Sequence, residues 1–141
     1  EGGLDAAGQL VSLKRTCKKM KSAGIEASLF IDPERRQVEA AAESRAGFIE
    51  LHTGAYAEKF GNAKQRRREL NRLIGAASHA HALGLRVNAG HGLNYENLKE
   101  LYAVPHLEEL NIGHSIVSRA MTVGLVRAVK DMLRLMRGYR G

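Results

Sequence analysis

The chain carries the pattern Asn-x-Gly-His twice, as Asn88-Ala89-Gly90-His91 and as Asn111-Ile112-Gly113-His114. Each copy is entered by a short apolar run, Leu85-Arg86-Val87 before the first and Leu110-Asn111-Ile112 before the second. An imidazole can give or take a proton near neutral pH. The glycine beside it lets backbone turn with positive φ or approach a ligand closely. Two such groups at the exits of neighbouring strands form one rim of an active site. Glu50 adds a carboxylate inside Phe48-Ile49-Glu50-Leu51-His52, where alternation turns it away from Ile49 and Leu51. A carboxylate on an interior face is costly unless paired, so Glu50 is either functional or half of a buried salt bridge. His52 shares its face and is expected beside it in a supporting role.

Gly113 and His114 immediately precede a helix expected from Ser115. The first turn of a helix leaves N–H groups unpaired and its dipole favours an anion, so this is an expected phosphate site. No Gly-x-x-x-x-Gly-Lys-Ser/Thr occurs, which excludes a nucleotide P-loop. His79, His81 and His106 are expected in structural or solvated roles. A metal site built from His52, His91 and His114 has no local ligand spacing to support it, and none is expected.

The elements that must hold these groups alternate between strand and helix. Asp5 is expected to cap a helix running to about Ala23 and closed by Gly24, with Leu10, Leu13, Cys17 and Met20 on one face. Strands are expected over 25–31, 48–52, 85–89 and 107–112. Asp32-Pro33 reads as an N-cap followed by proline at the first helical position, opening a helix that turns Val38, Ala41 and Ala42 inward and ends near Arg45. Residues 53–62 are expected as a loop, 63–83 as a long helix stopped by Gly84, and 95–103 as a helix begun by Asn94. The last helical stretch, from Ser115 to near Arg137, is expected to break around Gly124. Strands separated by single helices run parallel with right-handed crossovers. The expected class is therefore α/β, either a doubly wound sheet or parallel (β/α) units of a TIM-type barrel. No Gly-x-Gly-x-x-Gly follows a first strand. A whole barrel takes roughly 250 residues, so this chain of 141 would be a little over half of one.

Composition narrows the function classes. With two prolines and no low-complexity tract, disorder is not expected, and the length suits a single domain over residues 1–141. No apolar run reaches membrane-spanning length. No charged-then-apolar leader opens the chain, which argues against secretion, and a start at Glu1 suggests a fragment. Cys17 is the one cysteine, so no internal disulfide is expected and a cytoplasmic setting fits. The net charge is +7, concentrated at Lys64-Gln65-Arg66-Arg67-Arg68. That cluster reads as the solvated face of a helix. Its alternative, a nucleic-acid surface, lacks interleaved aromatics.

Read in order, the segments Glu1-Gly2-Gly3-Leu4-Asp5, Ser28-Leu29-Phe30-Ile31-Asp32, Phe48-Ile49-Glu50-Leu51-His52-Thr53-Gly54, Val87-Asn88-Ala89-Gly90-His91-Gly92-Leu93 and Glu109-Leu110-Asn111-Ile112-Gly113-His114 closely resemble the pyridoxine 5′-phosphate synthase family. The resemblance runs end to end and corresponds to the later part of that family's barrel, without its first strands. It implies condensation of 3-amino-2-oxopropyl phosphate with 1-deoxy-D-xylulose 5-phosphate, giving pyridoxine 5′-phosphate, phosphate and water. It implies His91 as proton donor, Glu50 as transition-state stabiliser, and Gly92, Gly113 and His114 as contacts to phosphorylated substrates. It implies no organic cofactor or catalytic metal, assembly as a homo-oligomer, and a mobile loop that includes residues 1–4. Two readings from other classes compete with it: a basic nucleic-acid-binding module, and a non-catalytic half-barrel that associates through its sheet edges.

Overall fold

A computed structural model describes residues 2–140. Four strands carry the polar residues: β1 (Ser28–Ile31), β2 (Phe48–His52), β3 (Arg86–Gly90) and β4 (Leu107–Asn111). They form one parallel sheet in the order β1-β2-β3-β4. Each strand's neighbour is the next strand in sequence. A doubly wound sheet reverses its order at a switch point; this one does not, and it is an α/β fold consistent with part of a TIM-type barrel.

The helices are α1 (Leu10–Ser22), α2 (Arg35–Glu43), α3 (Gly54–Glu58), α4 (Ala63–Ala82), α5 (His114–Val123) and α6 (Leu125–Met136), with a 3₁₀ segment at Leu98–Ala103. Register fixes the two faces of the sheet. Ile49 pairs with Val87 and Leu51 with Ala89, and all four are fully buried. Leu29 and Ile31 join them in a core closed by Val38 and Ala41 of α2 and by Leu70, Leu73, Ala77 and Ala80 of α4. The opposite face presents Phe30, Glu50 and Asn88 side by side. No helix among the described residues is long and apolar enough to cross a membrane.

Glycine ends the two longest early helices as expected. Gly24 and Gly84 have φ of 73° and 81°. Beyond each, a backbone N–H reaches back to close the last turn, Ile25 to Met20 C=O at 2.9 Å and Leu85 to Ala80 C=O at 3.0 Å. Asn62 caps α4 by accepting from Gln65 N–H at 3.1 Å. Cys17 is buried, with Sγ 3.7 Å from Ser44 Oγ.

Other boundaries differ from expectation for local reasons. Asp5 does not cap α1, whose N-cap is Gln9; its carboxylate instead accepts from Gly8 N–H at 3.1 Å in a preceding turn and from Gln37 Nε2 at 3.0 Å. Met20 is on the exposed side of α1, not in its buried stripe. Asp32 does not cap α2 either, since Glu34 holds that position and Pro33 lies outside the helix. The strand expected from Ile25 begins at Ser28. Residues 95–97 form turns, and only 98–103 wind, as 3₁₀. Helix α5 starts one residue early, at His114. The expected loop at 53–62 contains α3, too short for helical periodicity to register in sequence.

That short helix buries Tyr56, whose hydroxyl donates to Asn97 C=O at 2.6 Å. Burial, with the Glu100 carboxylate adding to it, pushes the Tyr56 phenol from 10.0 up to about 12. A raised folded-state value means the stabilisation is complete below pH 10.0 and is lost as pH climbs through about 12. Tyr56→Phe is expected to cost about 1 kcal/mol in denaturant melts at neutral pH and to flatten the loss of stability between those two pH values. A variant that keeps the same alkaline slope as the parent would assign that slope elsewhere.

Candidate functional site

The site is built where β2, β3 and β4 end. His91 follows β3 with φ of 79°, and Gly92 continues the left-handed turn at 76°. A non-glycine residue in that region is strained by roughly 1–3 kcal/mol and persists only where its surroundings hold it. They do so from two sides. Thr53, fully buried, donates its N–H to Gly90 C=O at 2.8 Å, and its hydroxyl lies 2.6 Å from Gly90 C=O and 2.5 Å from His91 C=O. Asn97, also buried, donates Nδ2–H to Gly92 C=O at 3.1 Å. Asn97 is itself fixed, because its Oδ1 accepts from Asn94 N–H at 2.8 Å while Asn94 Oδ1 accepts from Glu96 and Asn97 N–H at 2.9 and 3.0 Å. Asn94, expected to begin a helix, instead closes a turn over 95–97, since Asn97 is the N-cap of the 3₁₀ segment, and that turn serves the His91 turn.

Glu50 leans across the sheet, where its Oε2 accepts from Asn111 Nδ2 at 2.6 Å. Its Oε1 lies where a Cβ on Gly90 would stand, so glycine at position 90 makes room for the carboxylate. Among the described residues its bonded partner is a neutral amide rather than a cation. Gly113 is the N-cap of α5, and a Cβ built on it meets no atom within 4 Å. The backbone there fronts open space. His114, Gly113, His91, Gly92 and Glu50 line one cavity of about 530 Å³, together with Phe30, Leu93, Asn111 and Ile112. Five of the six residues singled out in the sequence therefore meet in a single hollow.

The sixth, His52, sits directly beneath it. Its ring lies edge-on to His91 with centroids 4.9 Å apart, and Phe30 packs edge-on to it at 5.0 Å. Its Nδ1 is 2.9 Å from Asp32 Oδ1. Sequence reasoning missed Asp32, because Asp before Pro reads first as a helix cap. Its position just past a strand end was the usable signal. Of the remaining histidines, His79 pairs with Glu39 at 3.2 Å and His81 stacks on His106 at 3.8 Å, both away from the cavity. Among the described residues no group of three or more His, Cys, Asp or Glu is placed to hold a metal ion. Arg66, central in the basic cluster, is tied to Glu100 at 3.0 Å and to Phe60 C=O at 2.7 Å. Gly3 and Leu4 lie against β1: Leu4 N–H donates to Phe30 C=O at 2.7 Å, and Gly3 abuts the Ile31-Asp32 backbone too closely for any Cβ. Glu1 lies outside the described residues.

Fold and site define a parallel (β/α) chain of barrel type, with its polar groups at the carboxyl ends of the strands, where such folds place their ligands. Comparison with known proteins narrows the class. Residues 1–138 match the family described as "Pyridoxal phosphate biosynthesis protein PdxJ", and the chain belongs to that family. It is 52% identical over 132 residues to pyridoxine 5′-phosphate synthase of Opitutus terrae, an alignment covering 94% of this chain and 53% of that protein. The chain thus spans about half the length of the curated relative it matches.

The left-handed turn gives a direct test. Gly92→Ala places a Cβ 2.7 Å from Ala57 Cβ at a positive φ. It is expected to lower stability by about 2 kcal/mol. Calorimetric melting of the variant beside the parent checks this, and an unchanged melting temperature would show that the turn relaxes freely.

Proposed function

We propose that the chain supplies the later half of a pyridoxine 5′-phosphate synthase barrel. The whole protein would condense 3-amino-2-oxopropyl phosphate with 1-deoxy-D-xylulose 5-phosphate, yielding pyridoxine 5′-phosphate, phosphate and water. The observation that carries the reading is the shared cavity of Glu50, His91, Gly92, Gly113 and His114. Closing a ring from an amine and carbonyl compounds requires repeated proton transfers, and His91, exposed on the cavity wall, is the proton donor. Glu50 stabilises positive charge that develops as the amine condenses. The N-terminus of α5, with Gly113 and His114, takes a substrate phosphate on unpaired N–H groups. Gly92 contacts the amino-ketone phosphate. The reading needs no organic cofactor and no metal.

The name of the Opitutus terrae relative favours this reading over a nucleic-acid module, and the internal bonds of Arg66 weaken the latter further. The reading carries with it a cytoplasmic setting and assembly as a homo-oligomer, which the family resemblance implies. Exposed Met121, Leu125, Val126 and Leu133 on α5 and α6 are apolar surface that other chain or a second copy would cover.

Ring formation from the two phosphorylated substrates should appear when the chain is joined to the first half of the relative's barrel, and not with the chain alone. His91→Asn in the joined protein is expected to lower kcat between about 100- and 10,000-fold. Turnover equal to the parent would remove His91 from the reaction. Gly113→Val should weaken the phosphorylated substrates with a smaller effect on kcat. An unaltered KM for both would argue against phosphate at that helix end.

A further inference from the structure

We propose that Asp32 and His52 form a positioning pair that orients His91 for its proton transfer, an inference that rests on His91 being the donor. Three observations converge on it. Asp32 lies at the end of β1, and its Oδ1 is 2.9 Å from His52 Nδ1. His52, at the end of β2, presents its ring edge-on to His91, with 4.9 Å between centroids. Phe30 touches both imidazoles, at 5.0 and 6.4 Å. The chain of contacts therefore runs from a carboxylate through one imidazole to the imidazole on the cavity wall.

Hydrogen-bond logic sets the tautomer. His52 Nε2 is buried with no partner among the described residues. An unpaired buried N–H costs more than an unpaired lone pair on a ring nitrogen turned toward aliphatic carbon. The proton is therefore on Nδ1, donated to Asp32, and Nε2 carries the lone pair. Gly54 makes room for this arrangement, because a Cβ there would stand 2.5 Å from His52 Nε2 and 3.2 Å from His91 Cδ2. The His52 ring walls one side of His91. Gly3 N–H reaches the same Asp32 oxygen at 3.3 Å, which ties the 2–4 segment to the pair. Asp32 and His52 touch no reacting atom in this scheme; they act through His91.

Long-range ¹H–¹⁵N spectra of the full chain without substrate test the pair independently of turnover. His52 should carry its proton on Nδ1 in the parent and lose that preference in Asp32→Ala, with the His91 ring signals shifting as well. In the joined, active protein, Asp32→Ala should lower kcat between about 10- and 100-fold with KM for both substrates changed by less than about threefold. Asp32→Asn keeps an oxygen to accept from Nδ1–H and should recover most of that loss. A His52 proton on Nε2 in the parent, or His91 signals indifferent to Asp32→Ala, overturns the proposal. So does a loss expressed in KM alone, or one that Asp32→Asn does not relieve. A parent that makes no pyridoxine 5′-phosphate defeats the functional reading instead, and the tautomer result still decides the pair.

Discussion

The register of β2 against β3 is the constraint from which the rest follows. Because side chains alternate, pairing Ile49 with Val87 and Leu51 with Ala89 sends those four into the helix-covered core. The same pairing sends Glu50 and His52 to the other face. A slip of one residue would bury a carboxylate and an imidazole among Val38, Leu73 and Ala77, and expose the apolar set to water. Each of those apolar side chains is worth roughly 1.5–3 kcal/mol when buried, so the packing of the outer layer dictates where the acid and the imidazole stand. The polar groups of the cavity are positioned by residues that lie outside it.

The same economy of means appears at the exit of β3. The His91 turn is held in a conformation that costs energy by Thr53 from the β2–α3 junction and by Asn97 from the loop before the 3₁₀ segment. Neither clamp residue faces the cavity. Tyr56 in turn steadies Asn97 by donating its hydroxyl to the Asn97 carbonyl. The His91 turn is thus bonded to the start of α3 and to the Asn94–Asn97 turn, and α3 itself is anchored by the buried Tyr56.

Much of this was legible in the sequence, and the limits have physical causes. Strand–helix alternation and the stop glycines Gly24 and Gly84 act locally, so composition and spacing reveal them. The pairing of the two Asn-x-Gly-His stretches on one cavity was readable because parallel neighbours exit on the same side. The cases that misled were residues with two possible partners. Asp5 and Asp32 have the side chain of a helix cap, yet Asp5 bonds Gly8 and Gln37, and Asp32 bonds His52, twenty residues away. Local propensity cannot choose between a nearby backbone N–H and a distant imidazole; the fold does. Helix α3 was hidden because five residues are too few to show a period, and the 3₁₀ segment because its start and its winding are separable.

The two faces of the sheet are satisfied to different degrees, and that difference assigns them different work. The outer face is complete: its apolar residues are buried against α2 and α4. The inner face carries Glu50 on a single amide, and Asn88 Oδ1 buried with no partner among the described residues. Buried polar atoms are seldom left unmatched unless something else meets them. Since Glu50, His91 and Gly113 are held by bonds and elements within this chain, whatever closes over the inner face need not build those positions; it need only add groups opposite them. A barrel divided in this way keeps an imidazole, a carboxylate and a helix N-terminus around one cavity of this half, and leaves the other half to bring further groups to that geometry.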